Sequence, residues 1–180
     1  MRKLKLGLII IISAISNRPS IAQELTLHLR HMAGINAIEL TGGTTLFGKE
    51  MALNAYGYKN EAFMTTLGLR VEDGLIVKTK FQSSLVYAGL NYTLFHFRDK
   101  CFLNAGGGVI LGDEKYNNEV FKAITSTIDY GFLAEINAEF YLTNRCAFVF
   151  AMDEIFDYGS LLGQFHYTIN AGLRIYMNTK

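Results

Sequence analysis

Residues 165–177 read Phe165-His166-Tyr167-Thr168-Ile169-Asn170-Ala171-Gly172-Leu173-Arg174-Ile175-Tyr176-Met177. In an extended chain successive side chains point to opposite faces. Phe165, Tyr167, Ile169, Ala171, Leu173, Ile175 and Met177 therefore share one face. His166, Thr168, Asn170, Gly172, Arg174 and Tyr176 share the other. Strict alternation over this length marks a strand between two different environments. Its 13 residues also exceed the about 5 to 6 of a typical strand.

The same pattern recurs along the chain. Ile128, Tyr130, Phe132, Ala134, Ile136, Ala138, Phe140 and Leu142 alternate with Asp129, Gly131, Glu135, Asn137, Glu139 and Tyr141, and Leu133 is the one apolar exception. Phe63–Val71 and Leu103–Leu111 alternate as well. Less regular runs cover Gly34–Thr45, Lys49–Tyr58, Phe81–Phe97 and Cys146–Phe156, making eight in all.

An apolar face can form the core of a soluble sandwich or meet lipid in a membrane barrel, whose interior is polar. Two features favour the barrel. The polar faces combine glycine with Glu39, Arg70, Glu135, Glu139 and Arg174, which suits a narrow lumen. Runs of 12 to 15 residues match a tilted crossing, which needs about 9 to 11 residues in the hydrocarbon. Loop lengths add a third argument. Lys59-Asn60-Glu61, Arg98-Asp99-Lys100 and Thr143-Asn144-Arg145 are short, whereas residues 73–80, 113–127 and 157–163 form longer links. Short periplasmic turns alternating with longer outer loops are the outer-membrane pattern; the short link Leu46–Gly48 departs from it. Phe95, Phe97, Phe102, Phe140, Tyr141 and Phe148 cluster beside the short turns as an expected aromatic girdle. The fold class expected is all-β: an eight-stranded antiparallel transmembrane β-barrel in an up-and-down meander. Its closing strands should bring Glu39 within ion-pair reach of Arg174.

Composition agrees. The 180 residues are 50% hydrophobic and only 18% charged, against about 25% charged in an average domain. The 13% aromatic content excludes disorder. The sole proline, Pro19, precedes every run, as uninterrupted strands require. Beyond the N-terminus no apolar stretch approaches the about 20 residues of a spanning helix. Residues 1–22 have the form of a secretory signal peptide: Arg2, Lys3 and Lys5, an apolar core from Leu6 to Ile15, and Ser20-Ile21-Ala22. Cleavage would remove four basic residues, taking the formal charge from +1 to −3. That balance argues against direct contact with nucleic acid. Residues 23–33 are expected to be a periplasmic lead-in and residues 34–180 the barrel.

Catalytic, cofactor and metal sites are not evident, and a non-enzyme is expected. Cys101 and Cys146 begin runs two strands apart, about 10 Å, beyond disulfide reach; parity points both outward. His28 and His31 are expected in an exposed lead-in. His96 falls near the inner rim. His166 faces inward, with no serine partner evident. Gly106-Gly107-Gly108 and Gly112 lack the Lys-Ser/Thr of a phosphate loop and read as strand glycines. Asn91-Tyr92-Thr93 is a glycosylation sequon in mid-strand. Asp153, Glu154 and Asp157 are expected to form a solvated acidic rim rather than a cation site. Val120, Phe121 and Ile124 could dock a partner on the longest outer loop.

Several segments resemble the conjugal transfer protein TraO family of Bacteroidetes conjugative transposons. They are Phe102-Leu-Asn-Ala-Gly-Gly-Gly-Val-Ile-Leu-Gly112, residues 128–145 with their Tyr-Gly, acidic and Tyr-Leu-Thr-Asn-Arg elements, residues 163–175 with Gln-Phe and Gly-Leu-Arg, and the opening strand Gly34–Thr45. The family's Pro-Gly-Gln entry is here Met32-Ala33-Gly34. The resemblance implies a structural, non-catalytic outer-membrane component of a conjugative DNA-transfer apparatus in a Gram-negative bacterium. Its partners would be outer-membrane lipid and other envelope proteins of that apparatus. The alternative is a general small outer-membrane barrel for adhesion, defence or envelope stability.

Overall fold

Eight strands follow one another around a closed antiparallel barrel, β1 (Ile35–Thr45), β2 (Gly48–Tyr58), β3 (Phe63–Ile76), β4 (Thr79–Phe97), β5 (Cys101–Asn118), β6 (Ala123–Tyr141), β7 (Cys146–Asp157) and β8 (Phe165–Asn178). This computed structural model describes residues 31–76, 79–98, 100–118, 123–160 and 165–178. The expected signal peptide, the expected lead-in up to Arg30 with His28, and Val120 and Phe121 lie outside the described residues, as does the side chain of Ile124. No described helix is long and apolar enough to cross a membrane.

Every strand pairs with its sequence neighbours, and β8 closes on β1 with Arg174 opposite Glu39. Alternation divides the wall as expected. Leu40, Leu67, Leu90, Leu111, Ile136 and Leu173 are exposed on the outside. Glu39, Asn54, Arg70, Asn104, Glu139 and Arg174 are buried on the inside. On β6 the outward apolar residues run from Ile128 to Phe140. Twelve steps of about 3.3 Å cover roughly 40 Å of strand, or about 30 Å of height at a tilt near 40°. That matches the hydrocarbon thickness of a bilayer.

The wall is uneven. β5 and β6 are 18 and 19 residues long, whereas β7 has 12. β7 stops pairing at Asp157 opposite Gly131, while β5 and β6 continue to Asn118 opposite Ala123. Residues 73–80 and 113–127, expected as loops, are therefore mostly paired strand. The outward side chains there and just below are mostly polar, Lys80, Gln82 and Ser84 on β4 and Asp113, Lys115 and Asn117 on β5, with Leu75 of β3 the apolar exception. Hydropathy alternation fades where the wall leaves lipid, but the backbone ladder does not depend on it.

Turns are closed locally. Asn60 Oδ1 accepts from the amides of Ala62 and Phe63 at 2.8 and 2.7 Å. Thr45 Oγ1 accepts from those of Phe47 and Gly48 at 3.0 and 2.8 Å. At the β8–β1 seam, a Cβ on Gly172 would lie 2.0 Å from the Leu40 carbonyl oxygen and 2.7 Å from Thr41 Cα. Only glycine fits this inward position.

The expected aromatic girdle is only partly formed. Phe95, Phe97, Phe140 and Phe148 face outward, but Phe102 is buried and Tyr141 packs against the inner apolar cluster. A β-bulge between Thr93 and Phe95 lets Thr93 stay inside while Leu94 and Phe95 both point out.

Candidate functional site in the barrel lumen

Side chains that the inward parity of the strands brings together are buried in the lumen on all eight strands. Eight strands leave an interior just wide enough for such packing. Three tiers can be distinguished.

The inner tier is built around Arg174, whose side chain is completely buried. Its Nε donates to Glu39 Oε2 at 2.8 Å, and Nη1 donates to Tyr58 OH at 3.2 Å and to Glu139. The guanidinium also lies 3.8 Å from the centre of the Tyr56 ring. Asn54 and Tyr56 donate to the other Glu39 oxygen at 2.8 and 3.1 Å. Asn104 reaches Glu139 at 2.6 Å, and Tyr176 also donates to Glu139. The expected Glu39–Arg174 pair is present, with Glu139 as an additional partner.

His31 corrects an expectation. It is not an exposed lead-in residue but sits buried in the inner mouth, 3.2 Å from Glu139 Oε2 and 3.0 Å from Thr93 Oγ1. Its ring stacks on Phe102 at 4.0 Å. In the sequence His31 stands three residues after His28 in a leucine-containing stretch, and that spacing does not signal its burial inside the barrel.

The middle tier pairs Arg70 with Asp153 at 2.5 Å and with Glu50 at 3.2 Å. Asn170 bridges Glu50 and Asp153 at 2.9 and 3.0 Å, and Thr168 donates to Asp153 at 3.1 Å. Beside it lies an apolar plug of Leu85, Tyr87, Ile110, Leu133 and Ile155. Leu133, the exception on its polar face, belongs to that plug.

The outer tier holds Glu72, Glu114, Asp129, Asp157 and His166. Asp153, Glu154 and Asp157 do not form the expected common solvated rim. Asp153 pairs with Arg70 inside, and Glu154 lies at the half-exposed outer parity. Asp157 is buried and joins Glu114 and Asp129, with one carboxylate oxygen from each within 4.8 Å of the others. Ser160 Oγ lies 3.2 Å from His166 Nε2, so this histidine does have a serine neighbour. The pair stands at the lumen mouth, where His166 meets the edge of Phe47, not on the lipid face.

The remaining candidates are simpler. Cys101 and Cys146 are free thiols at outward, half-buried positions. His96 is exposed near the inner end and stacks with Phe102. Gly106, Gly107, Gly108 and Gly112 all lie within β5. Asn91 of the sequon is buried, donating to Thr66 at 2.7 Å.

No family model matches this sequence, and no curated protein is similar to it. Solved structures do share its fold. The N-terminal β-barrel domain of Pseudomonas aeruginosa OprF aligns with a TM-score of 0.63 at 11% identity, covering 81% of this chain and 98% of that one. Neisserial surface protein A aligns with a TM-score of 0.64 at 11% identity, over 79% and 97%. The Yersinia pestis attachment invasion locus protein Ail aligns with a TM-score of 0.52 at 12% identity, over 80% and 100%. At these identities the likeness concerns architecture alone. The chain has the fold of the small eight-stranded outer-membrane barrels.

Proposed function

We propose that this protein is a small outer-membrane barrel of a Gram-negative envelope, structural and non-catalytic, exported through residues 1–22. The observation that carries the reading is the pairing of a lipid-width apolar belt with a lumen closed by buried ionic networks. Solute passage is not what such an interior favours; Arg174, Tyr176 and Glu139 are almost wholly buried across the inner end. Contact with the outside falls instead to the raised wall of β4 and β5, whose outward side chains Lys80, Gln82, Asp113, Lys115 and Asn117 are polar above the belt. Adhesion, defence or envelope stability are roles for such a surface. Its partners are outer-membrane lipid and other envelope proteins.

Fractionation with heat-modifiable gel migration tests the location, and planar-bilayer recording tests the filled lumen. Outer-membrane recovery without steady conductance is the expected outcome; open-channel currents would refute the structural role.

A second reading rests on the resemblance of residues 102–112, 128–145 and 163–175 to the TraO family. In it the barrel is an envelope part of a conjugative DNA-transfer apparatus. Deleting the gene and measuring mating frequency decides between the two. An unchanged frequency removes the second reading.

A further inference from the structure

The buried charges of the lumen do not balance. Among the described residues nine carboxylates are buried, those of Glu39, Glu50, Glu72, Glu114, Asp129, Glu135, Glu139, Asp153 and Asp157. Only two guanidiniums, Arg70 and Arg174, are buried with them. Both are engaged below the outer tier, by Glu39, Glu139, Glu50 and Asp153. At the outer end Glu114, Asp129 and Asp157 share no ion pair among the described residues. Asp129 is completely buried, and neither of its carboxylate oxygens has a hydrogen-bond donor. A buried carboxylate with no donor is strongly disfavoured unless paired or bound to a cation. Here the missing partner is a positive charge, and the neighbouring oxygens already converge on one point.

We propose that Glu114, Asp129 and Asp157 form a binding site for a hard divalent cation, calcium, in the outer mouth of the barrel. One carboxylate oxygen from each residue lies within 4.8 Å of the others. That is the span of ligands lying about 2.3 to 2.6 Å from a common ion. An all-oxygen donor set selects calcium or magnesium over zinc and copper. Calcium tolerates irregular geometry and completes its shell with water, which suits three side chains from three separate strands. Two further contacts orient the ligands. Gly159 N donates to Asp157 Oδ1 at 2.8 Å, and Tyr116 OH donates to Glu114 Oε2. The ion would tie β5, β6 and β7 together where β7 ends and the taller wall continues alone. The site does not depend on which envelope role the barrel plays.

Terbium(III) is the probe, because it occupies calcium sites and emits when an adjacent tyrosine is excited; Tyr116 is that sensitiser. The full-length protein, purified folded from membranes in detergent and stripped with chelator, is titrated with terbium and then with calcium. Saturable tyrosine-excited emission, displaced by calcium at millimolar levels or below, is expected. Asp129→Asn lowers affinity about tenfold or more, and Asp157→Asn does the same, while Glu61→Gln on an inner turn changes nothing. Heat-modifiable migration reports that each variant is folded. In chelator, Asp129→Asn should unfold at a higher temperature than the parent, since it removes one of three crowded charges, and a given calcium concentration should raise its melting temperature less than the parent's. A site that is merely acidic and protonated gives the opposite record: calcium does not move the melting temperature of the parent. That result, or calcium displacement unaltered in both folded variants, overturns the proposal.

Discussion

Replacing Arg174 by Met should show how far the inner network holds the barrel together. The substitution keeps an unbranched stem in the same space but removes the guanidinium. Lost with it are the 2.8 Å bond to Glu39, the 3.2 Å bond to Tyr58, the bond to Glu139 and the cation–π contact with Tyr56. Removing one partner from a buried ion pair typically costs about 3–5 kcal/mol. Glu39 keeps its donors Asn54 and Tyr56, and Glu139 keeps Asn104, Tyr176 and the neighbouring His31. These residual partners place the cost at the lower end, about 3 kcal/mol, or roughly a hundredfold in the folded-to-unfolded ratio. Urea unfolding in lipid vesicles, followed by the gel mobility of folded and unfolded forms, measures it. The companion variant Arg174→Met with Glu39→Gln and Glu139→Gln removes the stranded charges and should recover more than half of the loss. A single variant within about 0.5 kcal/mol of the parent, or a triple variant less stable than the single, would refute the reasoning.

Other consequences concern the two faces and the seam. Leu69→Arg, on the lipid face of β3, should cost about 2–4 kcal/mol, while Gln82→Arg on the raised wall should be nearly neutral by the same urea assay. Gly172→Ala should cost about 3 kcal/mol or prevent heat-modifiable folding, because its Cβ would meet the Leu40 carbonyl oxygen at 2.0 Å. Gly42→Ala, where the nearest atom is 3.8 Å away on the outer face, should fold normally. Cys101 and Cys146 should both be alkylated without prior reduction, read by mass shift; reactivity appearing only after reductant would contradict the free thiols.

How much of this was legible in the sequence follows from what each feature depends on. Period-two alternation between lipid and lumen is a local property, so the eight strands, their inward faces and the Glu39–Arg174 seam could all be read from spacing. Strand ends above the bilayer could not. Residues 113–118 pair as strand because the ladder is made of backbone groups, while Asp113, Lys115 and Asn117 carry the look of a loop. The outer acidic cluster is hidden for the same reason: Glu114 lies in a stretch with the look of a loop, although it stands at the inward parity of β5 near Asp129 of β6. Closeness in sequence groups Asp157 with Asp153 and Glu154 in an expected rim, whereas Arg70 holds Asp153 lower in the lumen. Phe102 turns inward as the parity of β5 requires, although its type and place suit an aromatic girdle, and the spacing of His31 from His28 does not encode its burial. Ser160 met His166 through the link between β7 and β8, whose conformation no periodicity encodes.

The chain has no tryptophan, which makes single-tryptophan variants along β8 a clean reporter of the central claim that one face meets lipid and the other a filled lumen. Tyr167, Ile169, Leu173 and Tyr176 are each replaced in turn, and the folded protein is placed in vesicles containing brominated lipid. The account predicts strong quenching at 167, 169 and 173 and little at 176, where Tyr176 is buried among Tyr58, Tyr141 and Glu139. Quenching at 176 as strong as at its neighbours, or none at the outward positions, would contradict it.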